Sequence, residues 1–248
     1  MPYGKMLVDQ IESSTGSKLN VIGVSTSDFV LTLSEAISLT SLEVGNSIRI
    51  TDRADGIFDV VSGETANTFN IVQHTTLPLQ LKLRVEDSVI FANAWGAENF
   101  PTPSHDAWQH MLDSITDSLV TIEYSGNFKT EALLLVTSDT TIRPKGAPNK
   151  VSNKANGGIY NVLTDMFEVT AEKRFDIRGN YFEGNTVITG GTTTCIKGEA
   201  GGFGVAGSYY LYADSNQFES FDLAIDGQNG SWLWLVDKNN INGCNKAG

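Results

Sequence analysis

A short segment that occurs three times limits the fold of this 248-residue chain more than any other feature. The three copies read FDIRGNYFEGN (175–185), LYADSNQFESF (211–221) and LWLVDKNNINGC (233–244). Asn180, Asn216 and Asn239 align, with spacings of 36 and then 23 residues. A unit of this size cannot bury its apolar face alone and must stack on its neighbours. The repeat therefore predicts a solenoid of stacked coils.

Apolar and mostly polar residues alternate within each copy, as they do in a strand with one face turned inward. The inward columns are Phe175, Leu211 and Trp234, then Ile177, Ala213 and Val236, then Phe182, Phe218 and Ile241. The aligned asparagines are expected to adopt the left-handed conformation at corners and to hydrogen-bond in a ladder along the stack. The longer spacing predicts an excursion from one coil, at TGGTTTCIKGEAGGFGVAGS (189–208).

The chain divides by pattern into four zones, and the solenoid is the last of them. Residues 1–20 are expected to form an N-terminal arm, 21–91 a small β-rich domain, 92–121 a connecting loop and helix, and 122–248 the parallel coils. Only one segment is predicted to be helical, PTPSHDAWQHMLDSITDS, in which Thr102 or Ser104 would cap the helix. Its apolar residues recur at helical spacing: Trp108, Met111, Leu112 and Ile115.

Charge and composition exclude several classes of protein. The 17 basic residues against 29 acidic ones give a formal charge of -12, which would repel nucleic acid and an anionic membrane surface. The N-terminus lacks a secretory signal, so we expect a chain made in the cytoplasm that does not leave it by secretion. Cys195 and Cys244 fit no metal spacing, the three histidines form no recognisable triad, and no phosphate-binding glycine loop is present. We therefore predict neither cofactor nor metal.

The sequence VIFANAWGAENFPTPSHDAWQHMLDSI, followed by Asn-rich coils, resembles the entry into the right-handed parallel β-helix of bacteriophage tailspikes and their pectate-lyase-like relatives. In that family an aromatic-Gly-Ala strand end leads to an acid-capped helix that plugs the first coil. Here Trp95, Gly96 and Ala97 match the strand end, and Asp106, Ala107 and Trp108 match the helix start. One departure is ENFPTPSHD, which replaces the usual Gly-Asp-Gly loop. The opening YGKMLVDQIESSTG is similar to the first segment of phage tail fibres and spikes.

This resemblance implies an all-β fold with one connecting helix and a right-handed parallel β-helix. It also implies a homotrimer within the virion, assembled in the host cytoplasm, whose arms bind a phage tail or baseplate protein. The expected outer partner is host surface polysaccharide. Many proteins of the family are polysaccharide depolymerases, although these residues alone do not predict that activity.

Two outward columns carry carboxylates that stack on neighbouring coils: Glu183 with Glu219, and Asp214 with Asp237. Glycoside cleavage needs two carboxyl groups roughly 5 to 9 Å apart, and neighbouring coils lie about 4.8 Å apart. The simpler alternative is that these acids are solvated wall residues, as expected in a chain of this charge. Sugar rings stack on aromatic side chains, and the candidates for such contacts are Tyr210, Tyr212 and Trp232.

Two functions follow from these features. In the first, the chain anchors a receptor-binding or depolymerase β-helix to a phage tail and contacts host polysaccharide. In the second, it is a self-contained polysaccharide lyase or glycoside hydrolase that uses paired carboxylates. The repeat runs to NNINGCNKAG without a polar cap, which favours structure and attachment over catalysis.

Overall fold

The computed structural model describes residues 30–85, 88–115, 119–145, 158–161, 164–170, 173–184, 193–198, 210–226 and 233–244, with only the backbone at 233 and 234. The predicted arm (1–20), Trp232 and the side chain of Trp234 lie outside the described residues.

The first described unit is a five-stranded sheet in the order β1-β2-β3-β5-β4. Its alternating residues pack into one core, in which Ile48, Phe58 and Leu81 are buried. A helical turn, α1, begins at a capping box between Thr32 and Glu35. The elements are β1 (Val30–Leu31), α1 (Leu33–Ala36), β2 (Ser47–Ile50), a 3-10 turn (Thr51–Arg53), β3 (Gly56–Val61), β4 (Ile71–Gln73) and β5 (Gln80–Leu83).

The strands of the rest of the described chain form three all-parallel sheets, and each coil contributes one strand to a sheet. Sheet 1 contains β6 (Val89–Phe91), β7 (Val120–Tyr124), β10 (Thr140–Pro144), β13 (Arg174–Arg178), β16 (Tyr210–Asp214) and β19 (Leu233–Asp237). Sheet 2 contains β8 (Asn127–Thr130), β11 (Gly158–Asn161), β14 (Tyr181–Glu183), β17 (Gln217–Glu219) and β20 (Asn240–Asn242). Sheet 3 contains β9 (Leu134–Val136), β12 (Phe167–Val169), β15 (Thr194–Gly198) and β18 (Leu223–Asp226). The predicted β-solenoid is confirmed.

The solenoid begins earlier in the chain than the repeat indicated. Strand β6, expected in the N-terminal β-rich unit, pairs in parallel with β7 instead. Strand β15 also differs from expectation, because Thr194–Gly198 lies inside the segment predicted to leave the coil and forms a regular strand of sheet 3. The segment contains many glycine and threonine residues, and for this reason its strand was not predicted from the sequence.

The predicted register is confirmed. Phe182 pairs with Phe218, which pairs in turn with Ile241, and the rings of Phe182 and Phe218 stack with centroids 5.6 Å apart. Both phenylalanines are fully buried, whereas Ile241 in the last described coil is 37% exposed. The side chains of this column are therefore part of the core in the middle coils and partly exposed to solvent in the last described coil.

The asparagine ladder also forms, although its corners differ from expectation. Asn180 Nδ2 donates to Asn216 Oδ1 at 3.0 Å, and Asn216 Nδ2 donates to Asn239 Oδ1 at 2.9 Å. The left-handed residues are the ones before the asparagines, Gly179 (φ 66°), Ser215 (58°) and Lys238 (51°), so the prediction that the asparagines adopt this conformation was wrong.

Helix α3 (His105–Asp113) plugs the first coil, and α2 (Ala92–Trp95) leads into it. All four predicted apolar residues are buried, and the Trp108 ring meets Tyr124 and Phe128 edge-on at 5.8 and 5.6 Å. Ser104 is at the N-cap position, but its hydroxyl bonds to the backbone of Glu98 and not to the helix. Tertiary contact with the preceding loop replaces the local cap. No helix in the described part of the chain is long and apolar enough to span a membrane.

Candidate functional site

The structure brings Glu183 and Glu219 together around one tyrosine hydroxyl. The two glutamates pair directly across β14 and β17, on the side of sheet 2 that faces away from the core. Tyr181 Oη lies 2.8 Å from an Oε2 atom of each, so these two oxygens are at most twice that distance, 5.6 Å, apart. Gln217 Nε2 donates to Glu219 at 3.2 Å. This upper limit lies below the separation of roughly 6.5 Å or more that inverting glycosidases need.

Gly158 makes room for the Tyr181 ring. A Cβ atom at Gly158 would lie 2.6 Å from Tyr181 Cδ1 and 2.9 Å from its carbonyl oxygen, closer than real Cβ atoms approach. The ring is consequently buried, with 1% of the residue exposed. Burial, and then the hydrogen bonds to Glu183 and Glu219, raise the pKa of Tyr181. The hydroxyl therefore keeps its proton and acts as a donor.

A row of aromatic rings runs along sheet 2 toward the two glutamates. The Phe100 and Tyr160 rings have centroids 5.9 Å apart, and the Tyr160 and Tyr181 rings 5.8 Å apart. Phe100 is 53% exposed, and Tyr160 is half-buried. We call Phe100, Tyr160, Tyr181, Glu183, Gln217 and Glu219 together the sheet-2 face.

The aromatic part of the sheet-2 face was missed by sequence reasoning. The coil that contains Tyr160 has no asparagine in the repeat column, so the strand GIYN was not aligned with the later copies. Its alternation was the available signal, since Ile159 pairs with Phe182 and Tyr160 with Glu183. Tyr181 was passed over because it directly follows the aligned Asn180.

Four of the other predicted site residues lie on sheet 1, a different face, whereas Trp232 lies outside the described residues. Asp214 pairs with Asp237 across β16 and β19, and Tyr210 and Tyr212 lie on the outer side of β16. Tyr210 is 45% exposed, whereas the Tyr212 ring lies 4.5 Å from the Arg178 guanidinium. The Glu183–Glu219 pair on sheet 2 is thus separate from the candidate stacking tyrosines, which share sheet 1 with the Asp214–Asp237 pair.

Ionic partners surround the acids of sheet 1. Asp176 is buried and accepts hydrogen bonds from Arg174 Nε and Nη2 at 3.0 and 2.8 Å, and from Arg178 at 3.4 Å. Asp237 pairs with Lys238 at 3.0 Å, and Asp214 accepts from the Ser215 hydroxyl at 3.1 Å. The carboxylates of this sheet are therefore paired with neighbouring basic side chains or with a serine hydroxyl.

Two histidines make structural hydrogen bonds. His74 Nδ1 accepts from the backbone N–H groups of Thr76 and Leu77, and His110 Nδ1 accepts from Trp95 Nε1 at 3.1 Å. Burial lowers the pKa of His110, which favours the neutral acceptor form. Within the described ranges, no group of three or more metal-ligating side chains is placed to hold an ion.

No protein-family model and no curated protein matches the chain. The chain is similar to the tailspike protein gp49 from Acinetobacter baumannii bacteriophage Fri1, a capsular polysaccharide depolymerase, with a TM-score of 0.45 and 10% sequence identity. The alignment covers 86% of this chain and 49% of that one, so the chain spans about half of that tailspike's length.

Proposed function

We propose that this chain is the polysaccharide-contacting solenoid of a phage tailspike or tail fibre, and that its sheet-2 face binds the host glycan. The observation that carries the proposal is the aromatic row beside carboxylate and amide groups. Aromatic rings pack against the C–H faces of sugars, while carboxylate and amide groups hydrogen-bond to hydroxyls. Tyr181 is buried, so the rings that can contact a sugar are those of Phe100 and Tyr160. Glu183 lies one coil further along the stack than Tyr160, an arrangement that suits a linear polymer.

The helix that plugs the first coil supports the tailspike part of the proposal. The family pattern implies a strand that ends at Trp95, whereas strand β6 ends at Phe91 and Trp95 ends the helical turn α2. Asp106 lies in the first turn of α3, as that pattern implies. Trp108 then fills the solenoid end. The same pattern motivates the remaining parts of the proposal, namely a homotrimer in the virion whose N-terminal arms bind a tail or baseplate protein.

Binding of polysaccharide to the sheet-2 face is tested by affinity electrophoresis against purified capsular and lipopolysaccharide preparations. We expect retardation of the wild type by at least one glycan, and at least about tenfold weaker binding after Phe100→Ala or Tyr160→Ala. Tyr210→Ala is the matched control, because Tyr210 is an exposed aromatic residue on sheet 1. Loss of binding in the control alone would move the site to sheet 1.

A second candidate function, cleavage of the bound polysaccharide, is favoured by the separation of at most 5.6 Å between the Glu183 and Glu219 oxygens. In a retaining mechanism one carboxyl protonates the leaving oxygen and the other attacks the sugar. We expect release of reducing ends to fall at least about a hundredfold in Glu183→Gln and Glu219→Gln. Asp214→Asn and Asp237→Asn should retain activity. Binding without new reducing ends would reject cleavage and leave the binding proposal intact.

A further inference from the structure

We propose that a cavity at the entry end of the solenoid binds a short, uncharged saccharide. The cavity has a volume of about 520 Å³, which is in the range of ligand pockets, about 300 to 1,000 Å³. We call it the entry cavity, and the lining residues that bear on its chemistry are Thr68, Phe69, Glu98, Thr102, Asp106 and Glu131. The inference goes beyond the proposed function, because it does not require the sheet-2 face to bind a glycan.

Three separate parts of the chain meet at the entry cavity. Thr68 and Phe69 precede strand β4 of the N-terminal sheet. Glu98 and Thr102 belong to the loop between α2 and α3, and Glu131 follows strand β8 of the solenoid. Pockets that bind small molecules occur preferentially where two structural units meet, so the position of the entry cavity suits a binding site.

Hydrogen bonds hold the walls of the entry cavity in place. Ser104 Oγ accepts from the Glu98 N–H at 2.9 Å and donates to the Glu98 carbonyl at 2.6 Å, which closes the loop between α2 and α3. The Ser104 N–H donates to the Lys129 carbonyl at 2.8 Å and attaches this loop to β8. In the N-terminal sheet, Asn67 Oδ1 accepts from the Phe69 N–H at 3.0 Å. Because these walls are fixed, a ligand would bind with little loss of conformational entropy in the protein.

The lining has the mixed chemistry that a sugar needs. The first turn of α3 lines the cavity, and its N–H groups receive no cap from the Ser104 hydroxyl, which is bonded to Glu98 instead. These groups are donors, whereas the carboxylates of Glu98, Asp106 and Glu131 are acceptors. Sugar hydroxyls both donate and accept, and the C–H face of a sugar packs against an aromatic ring such as that of the half-buried Phe69.

The charges around the entry cavity favour an uncharged ligand. Lys129 forms an ion pair with Glu131, and the Arg53 guanidinium interacts electrostatically with Glu98. Asp106 lies in the first turn of α3, at the positive end of the helix dipole. Each carboxylate thus has positive charge nearby, and the ligand does not need a charge of its own to balance them.

Saturation-transfer NMR of the full chain tests the inference. The probes are glucose, galactose, N-acetylglucosamine, rhamnose, maltose and lactose, in a buffer that contains EDTA. The wild type is compared with the double variant Phe100→Ala/Tyr160→Ala, which lacks the two rings of the sheet-2 face that can contact a sugar. We expect at least one of these sugars to bind the double variant as well as the wild type.

Two further substitutions, each made in the double variant, locate the bound sugar. Thr102→Trp places a large ring at an exposed edge of the entry cavity and should weaken binding at least about tenfold by steric exclusion. Asp106→Ala removes an acceptor and should weaken binding at least about fivefold, whereas the control Asp113→Ala, in the last turn of the same helix, should leave it unchanged. Circular dichroism checks that each variant is folded. If Thr102→Trp does not fold, the comparison of Asp106→Ala with Asp113→Ala decides.

Three results would overturn the inference. The first is that none of the six sugars binds. The second is that neither Thr102→Trp nor Asp106→Ala weakens binding, because the sugar would then lie elsewhere. The third is binding that requires added calcium, because a metal ion would then make the contacts assigned to the side chains. Failure of the sheet-2 proposal gives a different pattern, in which Phe100→Ala and Tyr160→Ala leave polysaccharide binding unchanged while sugars still bind in the entry cavity.

Discussion

The side-chain amide of Gln109 hydrogen-bonds to both backbone groups of Leu135. Leu135 N–H donates to Gln109 Oε1 at 2.8 Å, and Gln109 Nε2 donates to the Leu135 carbonyl at 3.1 Å. Leu135 belongs to β9, the edge strand of sheet 3. Asn93 does the same at Ser125, with bonds of 2.9 and 3.0 Å. Helices α2 and α3 therefore cover the entry end of the solenoid. Their apolar residues pack against the first coil, and the side-chain amides of Asn93 and Gln109 make the backbone hydrogen bonds that a neighbouring strand would make.

A substitution of Gln109 tests whether its side-chain amide stabilises the edge strand β9. Gln109→Leu leaves the Leu135 N–H and carbonyl without partners, so we expect the free energy of unfolding to fall by about 1 to 3 kcal/mol in urea denaturation. Gln109 also donates to Asp113 at the surface, at 2.8 Å. The control Asp113→Ala removes that bond and the charge beside His110, but neither contact to Leu135, and should cost less than about 0.5 kcal/mol. Equal losses in the two variants would contradict the edge-covering role.

We expect the asparagine ladder to contribute most to the free energy of unfolding in the middle of the stack. Asn216 is fully buried, accepts from the backbone N–H and Nδ2 of Asn180, and donates to the Ile177 carbonyl at 3.0 Å. Asn216→Ala leaves several of these groups unpaired, so we expect a loss of about 3 kcal/mol or more. Asn239→Ala, at the last described coil, should cost less. Thermal unfolding of both variants checks this order, and a larger effect at Asn239 would refute it.

The sequence predicted the later coils well because their columns repeat. Phe182, Phe218 and Ile241, together with the asparagines, fixed the register, and the spacing of Trp108, Met111 and Leu112 fixed the helix. Strand-period alternation and helical period are local signals, which one chain is enough to reveal.

The earlier coils were not aligned because their corners differ. Gly126, with φ 101°, stands where the later coils have an asparagine, and the next coil has a long segment before Gly158. The aromatic half of the sheet-2 face was missed for the same reason, since Tyr160 meets Tyr181 only through a pairing between coils. Contacts of this kind depend on tertiary register and not on local pattern.

The buried stack of phenylalanines gives a third prediction. Phe218→Ala should lower the free energy of unfolding by about 3 to 5 kcal/mol, because it removes buried area and leaves a cavity beside Phe182. Ile241→Ala in the same column should cost clearly less, since Ile241 is 37% exposed. Chemical denaturation of the two variants provides the comparison. Similar costs would mean that the last coil is as well covered as the middle ones.

The proposed homotrimer predicts a particle of three chain masses in light scattering. Strands β1 and β4 are the edges of the N-terminal sheet, and closed symmetric association is one way to cover such edges. Deletion of residues 1–85 keeps β6, which pairs with β7, and should weaken association. A stable monomer of the full chain at micromolar concentration would reject the trimer and favour the self-contained enzyme.

The final prediction concerns pH and the contact between His110 and Trp95. The neutral His110 ring accepts the indole N–H, and the Phe69 ring lies 4.9 Å away, so burial lowers the pKa of His110 while Asp113 partly opposes the shift. A histidine whose folded-state pKa is depressed contributes stability that is fully present above its unfolded-state pKa, about 6.5, and is lost as the pH falls from there through the lower folded-state pKa.

We therefore expect the free energy of unfolding to decrease more between pH 7.5 and pH 5 in the wild type than in His110→Gln. Glutamine does not titrate, and its amide oxygen can still accept from Trp95 Nε1. Urea denaturation at the two pH values measures the difference, and every other titratable group is common to the two proteins. If His110→Gln loses as much stability on acidification as the wild type, protonation of His110 does not weaken the packing of α3 against Trp95 and Phe69.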